Sequence, residues 1–391
     1  TLVYLQLAPL PKTLLTWLSP AAADIHATRQ SATTATLDPA ATQAAALKTL
    51  TYGALFGLTL LLVDSQARLR TLALVLVLSG VFQAAYGGLM TLSGLEYGFF
   101  AAKEIGIGAI TGTLGNANHL AGYLEMTLGL GVGLMLAGMS GRPAANIRES
   151  LRRILTGILG DQGLVRLSLV IMVIGIVLSK SRMGNVAFIS SLIFAGILYG
   201  LLTRRFSRAT LILFASVILI DILIIGNYFG VDKVAAELRQ GILLDTGNSD
   251  LGQRMTVAAD TLEIVKDFPL AGSGAGTFAT VYPSYDDGDT GVRFWQHAHN
   301  DYLQFAAEFG LAGFLMLTII VLLSIRMAIS TQARRRNQTM RGMACGALMA
   351  IVAILIHSAV DFNLQIPANA ATFVVILAVA WVTQSVGRVQ V

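Results

Sequence analysis

The sequence predicts an all-α integral membrane protein, a multi-span helical bundle carrying a helical cap on its outer side. Composition is the first reason: 55% of the 391 residues are hydrophobic and only 13% charged, and a mean hydropathy of +0.69 lies outside the range of soluble domains. Periodicity is the second. Apolar runs near the roughly 20 residues that cross a bilayer occur at 44–63, 71–91, 119–139, 166–180, 184–202, 209–230, 309–329, 343–360 and 371–387, at least nine spans. Charge placement is the third. Arginine-bearing connections at 64–70, 141–153, 203–208 and 326–341 read as cytoplasmic, so those at 92–118, 180–182, 231–306 and 361–370 face the other side.

Taken in order, residues 1–18 read as the outer end of a further helix, broken by Pro9 and Pro11. The chain opens on Thr1, so a preceding segment is expected. The Ala/Thr-rich stretch 27–46 reads as an exposed loop leading into the first full span, and 152–167 as an amphipathic helix on the inner surface. The 231–306 connection is too long for a tight turn. Its segments VDKVAAELRQGILL and RMTVAADTLEIVKDF have helical patterns, so it is expected to fold as a small cap. The expected organisation is a membrane bundle over 1–230, a cap over 231–306 and C-terminal membrane helices over 307–391. The net charge of +5 follows from the inner-face arginines and implies no nucleic-acid partner. A single cysteine, Cys345, excludes both a disulfide framework and a cysteine metal cluster.

The unusual polar residues collect at the outer ends of spans. In WQHAHNDYLQF, a helix beginning near His299 would place Tyr302, Ala306, Gly310 and Gly313 on one face whose small residues admit a neighbouring helix. Asn300 and Asp301 suit a helix N-terminus. The segment is then either a polar cap with interfacial aromatics or a proton acceptor at the membrane surface, for which a histidine is suited. In an extended strand His297 and His299 would share a face, as two metal ligands do, but His26, His119 and His357 are too scattered to complete a site. Lys180 and Arg182 interrupt nearly continuous apolar sequence; such charges either snorkel to headgroups or face a polar cavity. The tight turn is expected to aim Arg182 into the bundle.

Arg254 opens an amphipathic segment, and GSGAGTF at 272–278 lacks the lysine of a Walker loop, so it reads as a turn needing glycine angles. Asn116, Asn118 and His119 stand at a span end as caps or as ligand contacts. His357 and Asp361, four apart, read as one structural pair on a helix face.

Together these segments resemble the O-antigen ligase and polymerase family, membrane glycosyltransferases that use undecaprenyl-diphosphate-linked glycans. The family signature is His, then Asn, Ser or Gln, nine residues, Gly, two residues, and Gly, Thr or Tyr; His299, Asn300, Asp301 to Phe309, Gly310, Leu311, Ala312 and Gly313 match throughout. SRMGN, the arginine upstream of PLAGSGAGTF, GNANHLAG and HSAVDFNLQIPANA extend the resemblance from about residue 105 to 370. Members commonly have about twelve spans of bilayer length, so part of the bundle would precede this chain.

The resemblance implies that His299 is the base and that Arg182 and Arg254 hold the donor diphosphate without a metal or cofactor. Departure of a diphosphate needs fixed positive charge, and planar guanidinium donors match phosphate oxygens. The acidic stretch at 286–289 reads as a solvated loop rather than a metal site. Further substrate contacts are expected from Asn300, Tyr302, Asn118 and His297. The implied protein is an inverting, multi-pass enzyme of the bacterial inner membrane, with its site on the periplasmic side and surrounded by membrane lipids. Its implied partners are the lipid-linked donor and either a lipid A core acceptor, in a ligase, or a second lipid-linked repeat unit, in a polymerase. A transporter or flippase of the same lipid-linked sugar would also use buried arginines, but such proteins usually show repeated halves, and no repeat is visible.

Overall fold

The computed structural model describes residues 2–29, 33–103, 106–139, 160–203, 212, 214–217, 219, 250–288 and 294–387. The architecture is α-helical: α1 (Leu2–Leu7), α2 (Lys12–Leu18), α3 (Pro20–Arg29), α4 (Pro39–Leu62), α5 (Gln66–Leu92), α6 (Ala117–Gly138), α7 (Asp161–Leu178), α8 (Arg182–Thr203), α9 (Asp250–Asp267), α10 (Phe278–Val281), α11 (Asp301–Arg334), α12 (Gln338–His357) and α13 (Pro367–Ser385). The only strands among the described residues are the two-residue pair Tyr97–Gly98 and Ala101–Ala102.

Seven helices, α4, α5, α6, α8, α11, α12 and α13, are long and apolar enough to cross a membrane, and the apolar stretch Gln162–Leu178 is shorter. The chain is therefore a multi-span membrane protein. The expected span at 209–230 and the helical piece VDKVAAELRQGILL lie mostly or wholly outside the described residues; of the expected inner-surface helix at 152–167, residues 160–167 are described and lead into α7. Residues 1–18 form two short helices that stop on either side of Pro9 and Pro11. The 27–46 stretch is less of a loop than expected. Asp38 accepts the Ala41 N–H at 3.0 Å, and Pro39 then starts α4, an acidic cap followed by proline at the first helical position.

Two compact units divide the described residues. One gathers those of Thr1–Ala54, Asp232–Leu322 and Ser358–Pro367, the other those of Leu55–Val231, Leu323–His357 and Ala368–Val391. In the first, α9 is amphipathic, with Val257, Thr261, Ile264 and Phe268 buried at spacings of four, three and four. Val257, Ile264 and Phe268 share a core cluster with Leu15, Phe278, Tyr282 and Trp295, and Tyr282 keeps its hydroxyl satisfied by donating to Asp260 at 3.0 Å.

In the second unit α6 is apolar on every side and buried along nearly its whole length, as expected of a central helix. It packs against α5, α7, α8 and α12. Its closest approach is to α12, where glycines at fourfold spacing face each other. A Cβ on Gly129 would lie 2.8 Å from the Gly346 carbonyl, and one on Gly346 would lie 2.4 Å from the Gly129 carbonyl. Gly133 and Gly342 make the same kind of approach. Small residues allow this in a membrane, where dispersion between backbones replaces the hydrophobic drive.

Candidate functional site

The signature glycine does not lie on a smooth helical face. Gly310 has φ 66° and ψ 174° and interrupts α11, which starts at Asp301, in a backbone region essentially reserved for glycine. The groups freed by the break are met by the glycine-rich loop that precedes it. Ser273 N–H donates to the Ala307 carbonyl at 2.9 Å, Gly274 N–H to the Glu308 carbonyl at 3.1 Å, and Leu311 N–H to the Pro269 carbonyl at 2.8 Å. A broken helix is tolerated at membrane depth when its backbone is satisfied in this way.

The same loop turns on Gly272, Gly274 and Gly276, at φ 72°, 117° and 78°. Its amides grip a carboxylate of the chain itself: Gly276 N–H donates to Glu308 Oε2 at 2.9 Å and Phe278 N–H to Oε1 at 3.3 Å. The loop that looks like a phosphate cradle in sequence is occupied by Glu308.

This dock holds the start of α11, and with it the segment 295–301. Asn300 is the N-cap, its Oδ1 accepting the Leu303 N–H at 3.1 Å, while its amide donates to the Ala359 carbonyl at 2.9 Å. Asp301 ties the first turn to the connection after α12. Its N–H donates to the Ser358 carbonyl at 2.9 Å, and its carboxylate accepts from the Ser358 hydroxyl at 2.8 Å, Leu364 N–H at 2.9 Å and the Gln365 amide at 3.3 Å.

These ties bring Asp361 beside His299. Asp361 is buried; its Oδ1 lies 3.7 Å from His299 Nδ1 and its Oδ2 lies 3.7 Å from Arg254 Nη1. Both separations are those of ion pairs rather than hydrogen bonds. His299 itself has φ 50°, a left-handed conformation costing a non-glycine residue about 1–3 kcal/mol. Its ring is set edge-on between Trp295, at 5.3 Å between centroids, and Phe362, at 4.7 Å.

His297 is held differently. It stacks on Phe362 at 4.5 Å, and its Nδ1 is 3.1 Å from the Gln304 amide nitrogen. Burial pushes its pKa down to about 4, so it is neutral at ordinary pH. Among the described residues no group of three or more His, Cys, Asp or Glu side chains could hold a metal ion.

Arg254, His297, His299 and Asn300 thus assemble around Asp361 and Phe362 in the first unit, with Tyr302 half-buried on the adjoining first turn of α11. Arg182 and Asn118 belong to the second unit. Arg182 is the first residue of α8, after Lys180 at φ 59° and Ser181, whose hydroxyl caps the helix by accepting the Gly184 N–H at 3.2 Å. Arg182 is exposed. Asn116 caps α6 by accepting the Asn118 N–H at 2.8 Å, and Asn118 is half-buried in the first turn.

Two sequence expectations are corrected. Gly310 does not line a helix face, because it breaks its helix; Gly313 does admit a neighbour, a Cβ there lying 2.5 Å from the Leu2 side chain of α1, and the closest glycine contacts between helices are those of Gly129, Gly133, Gly342 and Gly346. His357 and Asp361 do not share a helix face, because α12 ends at His357. His357 instead lies 2.8 Å from Glu125 in the second unit, and Asp361 joins the first. Sequence reasoning took Asp361 for a structural partner of His357 and passed over Gln304 and Glu308. The available signal was a carboxylate or amide inside or beside an apolar run, where an unpaired polar group is costly.

Comparison with known proteins agrees with the signature. Residues 167–318 match the model of the family described as O-antigen ligase, a stretch that includes Arg182, Arg254, His297, His299, Gly310 and Gly313 but stops short of Asp361. No curated protein matches the chain.

Proposed function

We propose that this member of the O-antigen ligase and polymerase family transfers a glycan from undecaprenyl diphosphate to an acceptor hydroxyl on lipid A core, at the periplasmic face of the bacterial inner membrane. The observation that carries the reading is the Asp361 carboxylate shared by His299 and Arg254, at 3.7 Å from each. His299 takes the proton of the acceptor hydroxyl on its Nε2. The acceptor oxygen then bonds to the anomeric carbon as the bond from that carbon to the diphosphate oxygen breaks, and the single displacement inverts the centre. Asp361 stabilises the resulting imidazolium. The departing diphosphate carries its charge onto Arg182 and Arg254, whose planar donors suit phosphate oxygens. Asn118, Asn300, Tyr302 and His297 are proposed as further substrate contacts, and residues 231–306 as the cap that covers the site.

The test is product analysis with purified protein and a defined lipid-linked donor, offered lipid A core and a second lipid-linked unit in separate reactions. Transfer to lipid A core supports the ligase. Transfer to the second unit alone would make it a polymerase with the same site, and movement of the donor across a bilayer without transfer to either would replace the reading with a flippase.

Two further outcomes are expected. Transfer persists in EDTA, because phosphate charge is assigned to side chains; recovery of a chelated, inactive enzyme on adding magnesium or zinc would overturn this. Arg182→Lys keeps the charge but loses the planar fork, so transfer falls about tenfold or more, the loss of at least one charge-assisted hydrogen bond, with normal membrane insertion. A Lys variant matching wild type in rate and donor affinity would remove Arg182 from the site.

A further inference from the structure

The amide of Gln304 has no freedom of orientation. Its Oε1 accepts the backbone N–H of Ala298 at 3.1 Å, a donor that cannot reverse its role, so the opposite atom must be the NH2 group. That group donates one hydrogen to Glu308 Oε1 at 3.0 Å and faces His297 Nδ1 at 3.1 Å with the other. Glu308 cannot reverse the sense either, since its two carboxylate oxygens already accept from the Gly276 and Phe278 amides. An NH2 group only donates, so Nδ1 of His297 must be the acceptor and the ring proton must sit on Nε2.

We infer that Gln304 is a positioning residue that holds His297 in its Nε2–H tautomer, making it a neutral hydrogen-bond donor to the diphosphate of the lipid-linked substrate. The substrate clause rests on the function proposed above; the relay itself does not. The two histidines are then complementary. His299 has a carboxylate near Nδ1, at 3.7 Å, whereas His297 presents Nδ1 to an amide donor and so carries its proton on Nε2. Stacking on Phe362 and the depressed pKa of His297 agree with a ring kept neutral. The relay also connects the site to the helix break, because the carboxylate that orients Gln304 is the one gripped by the glycine loop.

The test uses the full chain in lipid nanodiscs with ¹⁵N-labelled histidine rings, the His297 signals being those lost in His297→Gln. In wild type, His297 is expected to show protonated Nε2 and unprotonated Nδ1 between pH 6 and 8, a window above its depressed pKa. Gln304→Glu keeps the acceptor for Ala298 but places an oxygen against Nδ1, so the tautomer inverts and transfer falls about tenfold, the loss of one charge-assisted hydrogen bond. Gln304→Met, which introduces no charge beside Glu308, leaves a mixture of tautomers and a smaller loss. His297→Gln replaces the ring by a flexible amide that only partly reproduces the Nε2 donor, so transfer falls, though by less than in His297→Ala; combined with Gln304→Met it loses nothing more, since the amide no longer depends on the relay. Nδ1–H in wild-type His297, or an unchanged tautomer in both Gln304 variants, overturns the relay. An inverted tautomer with undiminished transfer overturns its part in the reaction. Absence of transfer by wild type overturns the functional reading and the substrate clause with it, while the nitrogen spectra still decide the relay.

Discussion

Glycan transfer by the His299→Ala variant is expected to fall by about 10²–10⁴-fold, the usual contribution of a positioned general base, while binding of the lipid-linked donor survives. The two effects separate because the residues do. His299 faces Asp361, whereas donor charge is assigned to guanidinium groups that the substitution leaves in place. His299 is also the residue whose backbone is held at φ 50°, so alanine there keeps the same strained conformation and removes only the imidazole. His297→Ala, which deletes a hydrogen-bond donor rather than the base, is expected to lose about tenfold. Transfer rates and donor affinity, measured for both variants at matched expression, decide the matter. Wild-type transfer by His299→Ala, or abolished donor binding in it, would reject the base assignment and leave the segment as a binding surface.

Gly310→Ala is expected to destabilise the first unit by about 3 kcal/mol or more and to abolish transfer with it. Alanine at φ 66° and ψ 174° incurs a backbone cost of about 1–3 kcal/mol. Its Cβ would also lie 2.2 Å from the Leu270 carbonyl oxygen and 2.6 Å from the Gly272 nitrogen. Both are backbone atoms that cannot rotate away, so relief requires the 269–274 loop to leave the helix break and expose the carbonyls of Ala307 and Glu308. Gly88→Ala is the control: a Cβ there meets nothing within 4 Å, and no loss is expected. Thermal unfolding in detergent, followed for both variants, reads the difference. A Gly310→Ala protein as stable as wild type would show that the signature glycine serves some purpose other than this dock.

How much of the site was legible depends on the kind of residue. His299 and Arg182 stood out because a histidine or an arginine at the edge of an apolar run carries a cost that a random position does not, whereas Gly310 was marked by the spaced signature and Arg254 only by the family resemblance. Glycine angles in GSGAGTF were legible locally, and three of its glycines do have positive φ. Asp361 was misread because fourfold spacing to His357 suggests a helix face, and local periodicity cannot reveal that α12 stops at His357. Gln304 and Glu308 gave only the general signal of a polar side chain beside an apolar run. On a helix they look like polar punctuation, and their meaning comes from Ala298, Gly276 and Phe278, which reach them through loops.

The sequence by itself determined that the chain is helical and membrane-spanning, because hydropathy over about 20 residues is a local property that the bilayer reads directly. It also marked Asn300 and Asn116 as cap candidates, since Asn bonds amides only two or three residues ahead. The tertiary structure decided which carboxylate stands beside His299, which carboxylate fills the glycine loop and which glycines bring helices together. Each of these pairs residues far apart in the chain. Whether two such groups meet depends on where helices end and loops return, and no run of neighbouring residues encodes that.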